Sequence, residues 1–393
     1  MNFKFLLIIL CGTIILAAIC PVLKAQVIQP GTQTNGSGTN NIITAVPFLL
    51  IAPDARAGAM GGAGVAVLPD GNAMSINPSK LAFLEQSYGL SLSYIPWLRR
   101  LVSGISLIHL SGYYKLNDRN TIGASLRYFS IGEIQLIDIN KQDLGRYSPN
   151  EFSIDGTFAR RFGERFSLGT AVRYIRSSLI SGQFTAGQET KPGSSLAADV
   201  SAYAKSSTVF LGKDVILALG ICISNIGTKM SYTDAGNKYF LPTNLKIGGA
   251  STLMIDDLSQ FTVALDLNKL LVPTQPEYDA NGEIVKGQDP NVSVPAGIFG
   301  SFSDAPGGFK EEVKEVSLST GLEYMYNKQF AFRFGYLYES PQKGDRRYFT
   351  VGTGLKYQMF NIDFAYLIAS AKNSPLANTL RFSLLFNFAP TKK

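Results

Sequence analysis

Thr379-Leu380-Arg381-Phe382-Ser383-Leu384-Leu385-Phe386-Asn387-Phe388 reads with a period of two. Leu380, Phe382, Leu384, Phe386 and Phe388 fall on one side; Thr379, Arg381, Ser383, Leu385 and Asn387 fall on the other. Successive side chains of an extended chain point to opposite faces, so this segment is a strand with one apolar and one mixed face. Upstream segments repeat the pattern. Phe330, Phe332, Phe334, Tyr336 and Tyr338 alternate with Ala331, Arg333, Gly335 and Leu337; Ile362, Phe364, Tyr366 and Ile368 alternate with Asp363, Ala365 and Leu367.

From Tyr88 onward about fourteen such segments can be counted, an even number as single-chain membrane barrels require. Their expected starts are Tyr88, Ser103, Thr121, Phe152, Phe166, Leu196, Val215, Asn244, Phe261, Val316, Phe330, Tyr348, Ile362 and Thr379. The connections alternate in length. Those at 116–120, 163–165, 325–328 and 358–361 are short; those at 132–151, 176–195, 226–243 and 268–315 are long. Outer-membrane barrels have short periplasmic turns and long outer loops, so both termini are expected in the periplasm. A soluble β-sandwich is the competing architecture, and it need not alternate in this way.

The second face carries Arg127, Asp155, Arg161, Arg173, Asp199, Lys246, Asp266, Glu323, Arg333, Lys356, Asp363 and Arg381. Charge is costly toward lipid and tolerable in a hydrated or plugged lumen. A wide channel lined by mixed charge would also accept this face. Composition agrees with a barrel: the 393 residues are 46% hydrophobic and 17% charged, with 25 Phe, 18 Tyr and 38 Gly. No internal apolar run reaches the length of a membrane-spanning helix. The net charge of +7 is spread without a basic block, which fits an envelope protein near anionic lipid and not a nucleic-acid binder.

Lys4 followed by the apolar stretch 5–19 reads as a secretory leader over 1–25, cleaved between Ala25 and Gln26. An N-terminal anchor helix and a lipoprotein signal at Cys20 are the alternatives. With Cys11 and Cys20 removed, Cys222 stands alone, and His109 is the single histidine. Thiolate metal sites, multi-histidine sites and a histidine triad have no ligand set. No catalytic residue, metal or cofactor is therefore expected. A lipase would have to be built from His109 with Ser106 or Ser111. Trp97 and Tyr94, near the outer end of the first strand, read as part of an aromatic girdle.

Residues 26–41 are polar and rich in Gly, Thr and Asn, and are expected to be flexible. Residues 42–87 differ in texture. They contain Ala52-Pro53-Asp54-Ala55-Arg56-Ala57-Gly58-Ala59-Met60-Gly61-Gly62-Ala63-Gly64, then Asn77-Pro78-Ser79-Lys80-Leu81-Ala82-Phe83. Small residues permit close backbone approach, and glycines break regular structure. The run lacks the Gly-Lys-Ser/Thr ending of a phosphate loop. It reads as a plug within a barrel of residues 88–393, its motif carried by Pro53, Asp54, Arg56, Gly61, Gly62, Asn77 and Pro78. The long connection 268–315 holds Tyr278, Phe299, Phe302 and Phe309 among many prolines. A stretch this long is functional or disordered; its aromatics suit a binding surface, and a lid over the barrel mouth is equally open.

Thr44-Ala45-Val46-Pro47-Phe48-Leu49, the Pro53–Gly61 run and Asn77–Phe83 together resemble the PorV family of outer-membrane barrels of the type IX secretion system, whose texture PorQ-type barrels share in part. The resemblance extends over nearly the whole chain through its length, leader and strand count. It implies a FadL-like barrel with an inner plug. It also implies a shuttle that captures secreted cargo by a C-terminal β-sandwich signal domain, after the type IX translocon, and delivers it to an attachment complex containing a sortase-like protease. No enzymatic step would belong to the barrel. Tyr278, Phe299, Phe302 and Phe309 are the cargo-binding candidates. Uptake of hydrophobic small molecules is the alternative that a FadL-like fold suggests.

Overall fold

The computed structural model describes residues 40–97, 104–137, 143–179, 184–185, 188–234, 236–279, 281–370 and 378–388. The expected leader, with Cys11 and Cys20, and positions 26–39 of the expected flexible segment lie outside the described residues.

Fourteen antiparallel strands close into one barrel. They are β1 (Tyr88–Pro96), β2 (Ile105–Lys115), β3 (Asn120–Ile131), β4 (Asn150–Phe162), β5 (Phe166–Ser178), β6 (Gly193–Phe210), β7 (Lys213–Gly227), β8 (Asn244–Met254), β9 (Ser259–Leu270), β10 (Ser317–Tyr326), β11 (Phe330–Tyr338), β12 (Arg347–Tyr357), β13 (Phe360–Ala369) and β14 (Leu380–Phe388). Each pairs with its chain neighbours, and β14 returns to β1, with Tyr88 opposite Phe388 and Leu92 opposite Leu384. Closure leaves no unpaired strand edge, which a lipid-embedded sheet requires. The largest offset between an expected and an observed strand start is Leu196 against Gly193. Connections after even-numbered strands are short and those after odd-numbered strands are long.

The period of two sets which face is which. In β14, Arg381, Ser383 and Leu385 are buried while Phe382 is exposed; in β11, Ala331 and Arg333 are buried while Phe330, Phe332 and Phe334 are exposed. Outward rows are thus apolar and inward rows polar, the reverse of a water-soluble sheet. Tyr94 faces outward as a girdle residue would, but Trp97 does not. It keeps the inward parity of Ser91, Ser93 and Ile95, packs against the cluster around Phe48 and Leu49, and lies 5.9 Å from the Arg381 guanidinium. The girdle role read for Trp97 is corrected by that parity.

Residues 44–84 occupy the lumen as short turns. Helix α1 (Ala55–Ala59) starts at Asp54, whose carboxylate accepts the Ala57 N–H at 2.8 Å. A 3-10 turn (Pro78–Phe83) starts at Asn77, whose side chain accepts the Ser79 N–H at 3.2 Å. Both 3-10 turns that begin with proline, Pro47–Leu50 and Pro78–Phe83, use its fixed φ where no N–H is needed. This segment packs backbone against backbone. Gly61 (φ +67) lies against the main chain of Tyr336, 2.7 Å from where a Cβ would stand, and a Cβ on Gly335 would overlap the main chain at Met60 and Gly61.

Gly335→Val should therefore cost about 1–3 kcal/mol through overpacking. Gly156→Val, where a side chain would meet open space, should leave stability within experimental error. Thermal unfolding of the detergent-solubilised barrel checks both; equal melting temperatures for the two variants would contradict the close-packed plug.

Candidate functional site

Two features stand apart from the repetitive wall: the seam between plug and barrel, and the folded connection between β9 and β10.

The seam is polar and extends around the lumen. Arg56 projects from α1 and grips Glu323 of β10 through Nε (3.0 Å) and Nη2 (2.8 Å), while Nη1 reaches Asp70 at 2.9 Å and the Leu68 carbonyl. Glu323 also accepts from Arg333 of β11 at 2.6 Å, and Arg333 reaches Asp363 of β13 at 2.6 Å. One plug cation is thereby tied into a buried chain of alternating charges spanning β10 to β13. On the adjoining strand β9, Asp266 accepts the N–H groups of Gly64 (2.7 Å) and Val65 (2.9 Å). Asn77 donates to the carbonyls of Val65 (2.9 Å) and Ala202 (3.2 Å), and Lys80 donates to the Gly64 carbonyl at 2.7 Å. Ser383 and Thr350 accept the N–H groups of Ala55 and Gly61. Arg127 donates to the Leu49 carbonyl at 2.9 Å.

These bonds place the expected plug motif. Asp54 caps, Arg56 bridges to the wall, Gly61 lies against β11, and Asn77 joins two plug turns to β6. Pro53 and Pro78 are buried, while Gly62 (φ +87) turns the chain toward Ser319. The void within the plug, lined by Asp54, Arg56, Asp70 and Lys80 among others, is about 10 Å³. That is room for about one water. His109 is fully buried on β2, and neither ring nitrogen has a hydrogen-bond partner among the described residues. Ser111 is buried beside it with its hydroxyl also unpartnered, so no serine–histidine hydrogen bond forms there.

The second feature lies at the end of the barrel that carries the long connections. Residues 271–316, expected as an unstructured loop over 268–315, are folded. They form a hairpin (Glu277–Tyr278 with Ile284–Lys286), helix α2 (Val294–Gly300) and helix α3 (Phe309–Lys314). Charges fix this unit to the rim. Lys269, at the end of β9, bonds Glu312 (3.0 Å) and Glu315 (2.6 Å); Lys343 bonds Glu311 (2.6 Å) and Glu315 (2.9 Å). Glu315 also accepts from the Thr274 hydroxyl at 2.6 Å. Asn40, preceding the plug, donates to the Gln275 carbonyl and to Glu311, so plug and rim unit touch.

The four aromatic candidates fall in three places. Phe302 and Phe309 share an apolar groove of about 280 Å³ with Val313, Val316 and the wall residues Leu245, Ile247 and Leu267. Phe299, 78% exposed, projects from α2, and Tyr278, 53% exposed, sits on the hairpin. Lys269, Glu312 and Glu315 were not singled out from sequence. Their signal was a lysine on the outward row of β9, where an unpaired charge would face lipid.

The model of the family described as "Type IX secretion system protein PorV" matches residues 34–277, more than half of the chain. No curated protein matches the sequence. Among solved structures, the toluene transporter TodX of P. putida aligns with a TM-score of 0.51 at 12% identity, over 86% of this chain and 99% of that one. A FadL homologue of Pseudomonas aeruginosa aligns at 0.46 and 11% identity, over 89% of this chain and 100% of that one. At such identities the TodX likeness concerns the barrel fold alone.

Two outcomes follow from the charges. Arg56→Ala strands Asp70 and half of Glu323, and should cost about 3 kcal/mol, the low end for breaking a buried pair. Arg56→Lys should recover less than half of this, because a lysine cannot bond two carboxylate oxygens in parallel; thermal unfolding decides. At the rim, burial pushes Asp304 up from 3.8 to about 6, helped by Glu312 and Glu315 and opposed by the Thr274 N–H and Lys269. The folded unit holds that proton more tightly than an unfolded chain, so this group's contribution weakens as pH rises from about 4 to 6. Asp304→Asn should slow amide exchange at Thr274 relative to the native chain at pH 7.5, and the difference should vanish near pH 4.

Proposed function

This chain belongs to the PorV family of the type IX secretion system, and we propose that it is the shuttle which takes exported cargo from the translocon to the attachment complex. It is an outer-membrane barrel component of that system. In this reading both termini are periplasmic and the long connections face outward. The rim unit binds the C-terminal β-sandwich signal domain of each cargo protein, and a sortase-like protease in the attachment complex performs the covalent step. The barrel itself catalyses nothing; it is a rigid membrane scaffold for a recognition loop.

The observation that carries this reading is the folded rim unit of residues 271–316, which projects large aromatics into solvent while the lumen beneath is filled. Phe299 and Tyr278 offer rigid apolar area at little entropic cost, the kind of side chain that dominates protein recognition. Uptake of small hydrophobic molecules, the alternative, needs a continuous passage. A plug buried along most of its length and bonded to the wall from β3 to β14 weighs against it.

Deleting 278–309, or substituting Tyr278→Ser with Phe299→Ser, should lower the amount of cargo attached to the cell surface at least tenfold at normal barrel levels. Surface labelling of cargo in cells measures this. Undiminished secretion and attachment in the deletion strain would remove the rim unit from the mechanism.

A further inference from the structure

The apolar groove at the rim lies on the outer side of the barrel wall. Its floor is Leu245, Ile247 and Leu267, residues of the outward rows of β8 and β9; Ile247 and Leu267 are 45% and 46% exposed and stand opposite each other in the register. Below them the β9 row continues as Leu265 and Val263, and on the other side of β8 the outward row of β7 presents Leu219 and Leu217, all exposed and apolar. The groove is therefore the upper end of the surface that meets hydrocarbon. Its roof is Phe302, Phe309 and Val313. Phe309 and Val313 are four residues apart and share one side of α3.

Lys269 shows that the roof belongs over this face. It has the outward parity of Leu265 and Leu267, yet it is 8% exposed, covered by the rim unit and bonded to Glu312 and Glu315. The rim unit thus folds back over the outer wall instead of capping the mouth alone. Lys310 and Lys314, on the adjoining side of α3, are exposed and carry no ion pair among the described residues.

We infer that this groove binds one acyl chain of an anionic outer-leaflet lipid, held between the β8–β9 wall and α3, with the headgroup beside Lys310 and Lys314. The occupant follows from continuity. The groove opens onto the lipid-facing belt, its lining is apolar apart from Asn268, Lys269 and Glu312, and any polypeptide entering it would have to compete with the hydrocarbon of the adjoining belt. Lys310 and Lys314, on the side of α3 next to Phe309 and Val313, offer cations that match a phosphate. The groove takes up Phe302 and Phe309, two of the four cargo candidates, while Tyr278 and Phe299 lie outside it, so Tyr278→Ser with Phe299→Ser tests cargo binding apart from the lipid.

The test uses the full-length barrel without cargo. Protein incorporated into vesicles of palmitoyl-oleoyl phosphatidylglycerol is extracted in mild detergent, and retained lipid is counted by native mass spectrometry. The native chain should keep one lipid through washing. The pair Phe309→Asp with Val313→Asp should reduce its occupancy at least tenfold, and Ile247→Trp, which fills the groove from the wall without adding charge, should do the same. Phe299→Asp should retain the lipid. Heat-modifiable migration on gels confirms that each variant still forms a barrel. Equal retention by the native chain and both groove variants, or no retained lipid in the native chain, would overturn the proposal.

Discussion

Every other feature depends on the closure of β14 onto β1. A strand edge in hydrocarbon would expose N–H and C=O groups with nothing to bond, at several kcal/mol each. The register from Tyr88–Phe388 to Tyr94–Phe382 removes that edge. Once the ladder is closed, the pleat assigns each residue to lipid or lumen by its position alone. Apolar side chains take the outside because the solvent there is apolar. Charges are driven inward, where they have no bulk water and must find one another or the plug.

The plug answers that requirement. Glu323, Arg333 and Asp363 would be an unbalanced buried row without Arg56, since two carboxylates would face one guanidinium. Asp266 would be buried without donors unless Gly64 and Val65 turned their N–H groups toward it. The plug's own main chain gains the same benefit, because short turns leave backbone groups that a helix or sheet would have satisfied. Wall and plug are thus each other's solvent. Small residues follow from this: at Gly61 and Gly335 two backbones touch, and a side chain on either would part them.

The barrel was legible because its rule is local. Alternation in Leu380–Phe388 and in Phe330–Tyr338 can be read one residue at a time, and loop lengths fix the hairpin order. The plug was legible as texture, and Arg56 and Asn77 as members of a motif, but their partners were not. Glu323 is distant in sequence from Arg56, and nothing local says which inward carboxylate a plug cation will meet. Trp97 was misread because an aromatic near a strand end suits either face until its parity is counted through Pro96. The rim unit was legible only as a long segment with aromatics. Its fold depends on Lys269 meeting Glu312 and Glu315 across the turn of the chain.

That same lysine links scaffold and recognition. An outward lysine at the end of β9 is unfavourable in lipid unless something polar covers it. The rim unit supplies two carboxylates, and in covering the lysine it brings α3 down along the outer wall and leaves α2 and the hairpin projecting beyond it. The unit that presents Phe299 and Tyr278 to solvent is thus anchored in part by the charge balance of Lys269, beside the packing of α2 on Phe240 and Pro273. A barrel whose lumen is occupied has only its rims and its outer wall with which to meet other molecules. Here one ion-pair cluster, Lys269 and Lys343 around Glu315, organises both surfaces at once.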